Sequence, residues 1–352
     1  MNVISARSPF EVIINETGQT GSKVELFIWN KGTTEPTIPT YIMSENIASV
    51  TQTETNYNIS PYILEYINQI NANIVTTPSV ESNTDWCFAK VKTYKNVNGT
   101  FTLLNTITYV GINGYTEVMD GLNYDISDGY FTLLANSVTK VQYYNSIPYY
   151  NFLCERQSSD SYVVKYYNSS NTLINTTTFL TAGSFDIYNF KIPLAITNSV
   201  KCSIERVTDG VLVQIQTEKI EECKYTPVNV TYVNKYGGWQ QLTFFKAQTN
   251  SISIKSSEYT LMQPNLNYNY QQGQKKSFNA NGKKTIKLNT GWVYESYNAF
   301  IQELMLSDTV LIDGYPAIVK TQSLTYKTDL KDKNINFEMD FEYSNNLIND
   351  IV

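Results

Sequence analysis

The sequence predicts a mainly β protein: several antiparallel β-sandwich domains in tandem, the C-terminal one carrying a single flanking amphipathic helix. Three observations predict this. Short runs rich in β-branched and aromatic residues recur along the chain. Asn-Gly or Asp-Gly pairs punctuate them at 98–99, 209–210, 281–282 and 313–314, the strongest short-range hairpin signal because these residues tolerate positive φ. Only two segments show helical spacing, and neither alternates with strands as βαβ units would, which disfavours a parallel doubly wound sheet.

Taken in order, residues 10–14 and 24–29 flank the turn-rich stretch 17–21 and read as antiparallel neighbours. Ser60-Pro61 opens a short helix, with Pro at its first position and Ile63, Tyr66, Ile67 and Ile70 on one face. Residues 86–92 and 101–104 flank Asn98-Gly99 as a hairpin. A two-residue turn at Asp209-Gly210 sets Ile204 opposite Ile215 and Cys202 opposite Thr217. Asn281-Gly282 joins 276–278 to 285–288, and Asp313-Gly314 joins 309–312 to 316–319. Between these hairpins, Val293, Tyr297, Phe300, Ile301 and Leu304 form an apolar stripe on a helix over 293–306. Near the C-terminus Ile335, Phe337, Met339, Phe341 and Tyr343 alternate with Asn334, Asn336, Glu338, Asp340 and Glu342, a strand with one acidic, solvated face. Breaks near 112 and 225 divide the chain into an N-terminal sandwich (1–112), a middle sandwich (113–225) and a C-terminal β domain (226–352), each of typical sandwich size.

Composition excludes several kinds of chemistry. The 352 residues include 28 Tyr and 15 Phe but no His. No Ser-His-Asp or Cys-His nucleophile can form, and no His-based metal site. Asn supplies roughly one residue in nine, which fits A/T-rich codon usage and also a Tyr/Asn-rich recognition surface. The net charge of −6 gives no support for nucleic-acid binding. Cys87, Cys154, Cys202 and Cys223 contain no CxxC and read as reduced thiols. No apolar run approaches the 18 residues of a membrane span, and the first residues lack the pattern of a signal peptide. P-loop, GxGxxG and calcium-loop patterns are absent, so no cofactor or metal is expected.

Three groups of side chains are candidates for function. Glu338, Asp340 and Glu342 share a strand face, about 6.5 Å apart from one to the next, a spacing compatible with paired-carboxylate hydrolysis but expected of any solvated strand. Lys275, Lys276, Lys283, Lys284 and Lys287 cluster around Asn281-Gly282 as a basic hairpin suited to contact with an acidic neighbouring subunit. Tyr143, Tyr149 and Tyr166, each in a Tyr-Tyr pair, are candidate exposed recognition aromatics, since one member of a pair in a strand faces outward.

Two sets of residues carry a resemblance. One is Ser8-Pro9-Phe10-Glu11-Val12-Ile13-Ile14 with residues 24–32 and 57–63. The other is Val233-Asn234-Lys235-Tyr236-Gly237-Gly238-Trp239-Gln240 with residues 336–343. Together they resemble uncharacterised virion and tail structural proteins of phages and prophages of Bacteroidota, including flavobacterial phages. The resemblance implies no active-site residues. It implies a non-enzymatic virion component, in the tail or baseplate, assembled in the bacterial cytoplasm through symmetric contacts with its own copies and other virion proteins, without nucleic acid or membrane. The alternatives are a glycan-binding receptor protein and a capsid-surface decoration or head-fibre protein.

Overall fold

The computed structural model describes residues 2–49, 51–70, 72–73, 75–123, 131–136, 140–157, 159–262, 271, 273–326 and 335–348. Strands cover 52 % of the chain and helices 6 %, so the fold is mainly β as the hairpin signals require.

The first unit contains β1 (Val3–Ser5), β2 (Glu11–Ile14), β3 (Gly21–Trp29), β4 (Tyr41–Asn46), β5 (Thr55–Asn58), α1 (Ser60–Tyr66), β6 (Ser79–Val80), β7 (Trp86–Val97) and β8 (Thr100–Ile112). Its main sheet has the order β1-β8-β7-β3-β4. Asn98 and Gly99, both at positive φ, close the β7–β8 hairpin with Val97 opposite Thr100. β2 pairs with β5 and not with β3. The expected neighbour of β3 is displaced because the long β7 and β4 occupy both its edges, and β2–β5 instead lies on the sheet face through Ile14, Tyr57 and Ile59. α1 begins at Ser60-Pro61 but ends at Tyr66. Of its expected stripe only Ile63 is buried. Tyr66 and Ile70 are exposed, because the chain leaves the helix before a second turn can reach the sheet.

The second unit is a two-sheet sandwich. Its strands are β9 (Phe131–Leu133), β10 (Lys140–Tyr143), β11 (Tyr149–Arg156), β12 (Tyr162–Tyr167), β13 (Leu173–Leu180), β14 (Asp186–Pro193), β15 (Lys201–Arg206) and β16 (Gly210–Lys219). Sheet β10-β16-β15-β12-β13 faces sheet β6-β14-β11-β9 across a core that includes Phe152, Ile192, Val164, Tyr166, Cys202 and Ile204. β6 thus hydrogen-bonds from the N-terminal stretch into the second unit. The β15–β16 register differs from the two-residue expectation: Ile204 faces Val213 and Cys202 faces Ile215. A turn over Arg206–Asp209 is followed by Gly210 at φ 88°, and a bulge beyond Ile204 takes up the offset. The shift is even, so the apolar residues keep their face.

The third unit holds β17 (Val228–Val233), β18 (Trp239–Phe244), β19 (Thr249–Thr260), β20 (Lys275–Asn289), α2 (Tyr297–Met305), β21 (Val310–Ile312), β22 (Tyr315–Val319) and β23 (Glu338–Asn346). One sheet runs β18-β17-β21-β22-β23-β20-β19. Laid flat, β18 and β23 would stand about 19 Å apart. The rings of Phe244 and Phe341 nevertheless meet at 5.9 Å, and Lys246 N–H donates to the Asn289 carbonyl at 3.1 Å. The sheet therefore curls back on itself around its core. α2 closes that core with Tyr297, Phe300, Ile301 and Leu304, all buried. Val293 is buried just outside the helix, bridging to Ile335. Met339 and Phe341 of β23 are buried between exposed Glu338 and Asp340, as the alternation predicts. The strand begins only at Glu338, however, with Ile335 and Phe337 buried ahead of it. Glu342 and Tyr343 are both half-buried, and Asn334 lies outside the described residues.

The three units meet at one buried joint. Asn234 folds the β17–β18 turn by accepting from the Gly238 N–H at 3.0 Å, and its amide donates to the Leu134 carbonyl at 2.9 Å. Trp239 N–H donates to Asn151 Oδ1 at 2.9 Å, and its indole N–H donates to Asp85 at 2.8 Å. Asn151 donates to Glu81 at 2.7 Å, and Glu81 pairs with Lys191 at 3.0 Å. First, second and third units thereby share one network with almost no exposed atom. Gly238 is required here: a Cβ would sit 2.5 Å from the Leu134 carbonyl oxygen. Gly238→Ala should lower unfolding stability by about 2 kcal/mol or more, read by urea denaturation. An unchanged midpoint would mean that the joint yields easily.

Burial pushes the Asp85 carboxyl up to about 7, with the Glu81 charge adding to the shift and the Trp239 hydrogen bond opposing it. Burial likewise lifts Glu303, on α2, to about 7. Both groups are protonated in the native state between about pH 4 and 7 but ionised when unfolded, so the stability they contribute is complete near pH 4 and lost as pH rises through 7. Carboxylates held low by lysines, such as Glu25 and Glu205, act only below this window. Denaturation between pH 5 and 8 should show stability falling by about 5 kcal/mol if both groups titrate fully, with a shallower slope in Asp85→Asn, whose amide oxygen still accepts from Trp239. Equal slopes in both proteins would remove Asp85 from the explanation.

Candidate functional site

The basic residues that the sequence groups around a hairpin tip lie along one continuous strand. β20 runs without a break from Lys275 to Asn289, and Asn281-Gly282 is not a turn. The partner strand is β19, paired from Thr249–Lys287 to Thr260–Lys275, so the hairpin closes beyond Leu261 and Gln274. The Asn-Gly signal fails because β19, which precedes it, already supplies an in-register partner for both halves of β20. The irregularity this stretch carries is a bulge, with Asn279 at φ 50°. Lys275 and Lys287 are consequently separated by roughly 40 Å of extended chain and form no cluster.

Position along β20 divides the lysines. Near the body, Lys287 pairs with Glu338 and Lys283 with Glu342, each at 2.9 Å. Lys320 reaches Glu342 from the other side at 3.4 Å. The acidic face of β23 is thus matched to neighbouring lysines, and a lysine holds the Glu342 carboxyl below its usual range. Lys284 stands over the Tyr343 ring. Farther out, Lys275 lies 3.8 Å from Glu258, and Lys276 and Lys255 make no ion pair among the described residues.

β23 accompanies β20 only to Gly282, where Leu347 N–H donates to its carbonyl. Beyond that point β19 and β20 form a two-stranded ribbon with both faces in solvent: every residue of β19 is exposed, as are residues 275–280. Ile252 and Ile254 (60 % and 70 % exposed) lie on one face, and Tyr259 and Phe278 meet on the other at 5.6 Å. Along the whole of β19 the outer edge has no strand partner among the described residues. No sequence signal distinguished this ribbon from a covered hairpin, because its alternation is the same.

The candidate recognition tyrosines are buried. Tyr149 and Tyr150 are both covered, since β11 has the sandwich core on one face and Val233, Trp239 and Leu311 of the third unit on the other. Tyr166 points inward, its hydroxyl donating to the Pro193 carbonyl at 2.8 Å, while the half-buried Tyr167 carries Lys201 over its ring. Tyr143 is also buried, but it lines a groove of about 940 Å³ at one end of the second unit, with Tyr144, Asn145, Asn168, Asn198 and Thr217. The Thr217 hydroxyl is buried there without a hydrogen-bond partner among the described residues. Three of the four thiols, Cys87, Cys154 and Cys202, are buried, Cys223 is exposed, and all are free. Among the described residues no group of three or more Cys, Asp or Glu is placed to hold a metal ion, and no helix is long and apolar enough to cross a membrane.

No family model matches the chain, and no curated protein is significantly similar to it.

The ribbon lysines should be silent in folding. Lys275→Ala and Lys276→Ala should each change stability by less than about 0.5 kcal/mol, whereas Ile286→Ala, at the root of the same strand and buried, should cost about 2 to 5 kcal/mol. Comparable losses at both ends would mean that the ribbon is part of the folded core.

Proposed function

We propose that this chain is a non-enzymatic structural protein of a bacteriophage particle, a tail or baseplate component assembled in the bacterial cytoplasm that works through repeated contacts with its own copies and other virion proteins. The observation that carries the reading is the β19–β20 ribbon, a projecting element with an open edge and uncovered apolar residues on both faces. An isolated two-stranded ribbon is marginal in water, so one of this length finds its stability against a partner. The buried joint adds support, because it fixes the third unit, which carries the ribbon, against the other two, as repeated contact requires. A decoration or fibre on the head surface would use the same elements.

The test is excision. Replacing residues 256–280 by an Asn-Gly turn closes the hairpin at the Lys255–Asn281 pair and leaves Ile286 and Leu288 in the core. The shortened chain should fold, by circular dichroism, but fail to enter particles, by mass spectrometry of the purified virion. Normal incorporation would overturn the role given to the ribbon, and absence of the full-length chain from particles would overturn the function.

A second reading is favoured by the groove at Tyr143 and Tyr144, where aromatic and amide groups converge with the Thr217 hydroxyl, unpartnered among the described residues, as they do in saccharide sites. A glycan array probed with the wild type should then show binding that Tyr144→Ala loses. An array without signal removes the receptor-binding reading.

A further inference from the structure

Resting on the assembly reading for its setting, we propose that the β19 edge of one copy adds to the β4 edge of a second copy, head to tail, as an intermolecular strand pair. β4 is the terminal strand of the N-terminal sheet, and its outer edge has no backbone partner among the described residues. It exposes Ile42, at 61 %, as β19 exposes Ile252 and Ile254. Two open edges with outward apolar residues can exchange main-chain hydrogen bonds and cross-strand apolar contacts.

Charge selects this pairing over others. Residues 249–289 hold six lysines and one glutamate, a net +5, so the rest of the chain carries −6 − 5 = −11. Between Lys31 and Lys90 the sequence has no Lys or Arg but six carboxylates. Glu81 and Asp85 are consumed in the buried joint, and Glu35 pairs with Lys90. That leaves Glu45, on β4 itself, with Glu54 and Glu65. Glu45 accepts from Gln52, Glu65 accepts from Tyr41 of β4, and no lysine or arginine pairs with any of the three among the described residues. Pairing β19 with β19 would instead bring two lysine-rich ribbons together, which like charges oppose. The contact joins two different surfaces, so it propagates into a ring or a filament and does not stop at a dimer.

The test uses the purified full chain in sedimentation velocity at low and high salt. Wild type should form oligomers at low salt that dissociate as salt rises. K255E/K275E/K276E and E45K/E54K/E65K should each weaken association by about tenfold or more, as three surface charge pairs would. Mixed together, the two variants should co-assemble in equal amounts, because the original charge pairing forms at one junction and the reversed pairing at the next, and a chain carrying all six changes should associate again. E45Q/E54Q/E65Q provides the same readout if charge reversal disturbs the fold. A wild type that stays monomeric, either triple variant associating like wild type, or variants that do not complement would each overturn the proposal. Association in solution is independent of particle incorporation, so this contact and the virion role fail separately.

Discussion

The hydrogen bond from the Trp239 indole to Asp85 spans two units through the interior of the molecule, and the rest of the architecture depends on the network it belongs to. A buried carboxyl, a buried Glu81–Lys191 pair and two buried asparagine amides would each be costly alone. Each is tolerated because the others supply its partners, and those partners come from all three units. Such a network loses its compensation when one member moves, so the units hold one arrangement where apolar contact alone would permit several. The Lys191 ammonium also lies 4.9 Å from the Tyr149 ring, which brings a strand buried on both faces into the same joint.

A rigid base gives the ribbon its meaning. The side chains of β19 and the outer half of β20 contribute little burial within the chain, and cross-strand contacts such as Tyr259–Phe278 are worth well under the cost of ordering so many residues. Natural edge strands are ordinarily short, covered or heavily charged. β19 is long and uncovered among the described residues, with a single lysine and a single glutamate, so it carries none of these protections.

Much of the fold was legible because hairpin chemistry is local. Asn98-Gly99 and Asp313-Gly314 take the positive φ their residue types favour and close the strands that flank them. The stripe Tyr297, Phe300, Ile301 and Leu304 is buried because its period matches a helix on a sheet, whereas Val293, read as part of the same helix, is buried before it by a bridge to Ile335. Asn281-Gly282 shows the limit: β19 offered β20 a longer ladder, and the tertiary partner overrode the local turn. The Tyr149-Tyr150 pair misled for a related reason, since the rule that one side chain faces water presumes a sheet with a free face, and β11 has none. In the other two pairs the partly exposed member is Tyr144 and Tyr167, not Tyr143 and Tyr166. The joint left a fainter mark. Lys191 and Asn151 interrupt the apolar stretches 190–194 and 149–153, and a polar residue inside such a run signals a buried partner without saying where it lies. Its third contributor, the Asn234–Trp239 turn, reads in the sequence only as a turn through Gly237-Gly238, and its residues serve the contact between units.

Hydrogen exchange of the β19 amides, measured in the dilute chain and in the assembled state, separates a partnered ribbon from a solvated one. The outward-pointing amides of β19 and β4 should exchange quickly in the dilute chain and become protected together on assembly, while the amides at the Trp239 joint stay protected throughout. Unprotected β19 amides in the assembled state would contradict the view that this protein is built to be completed by its neighbours.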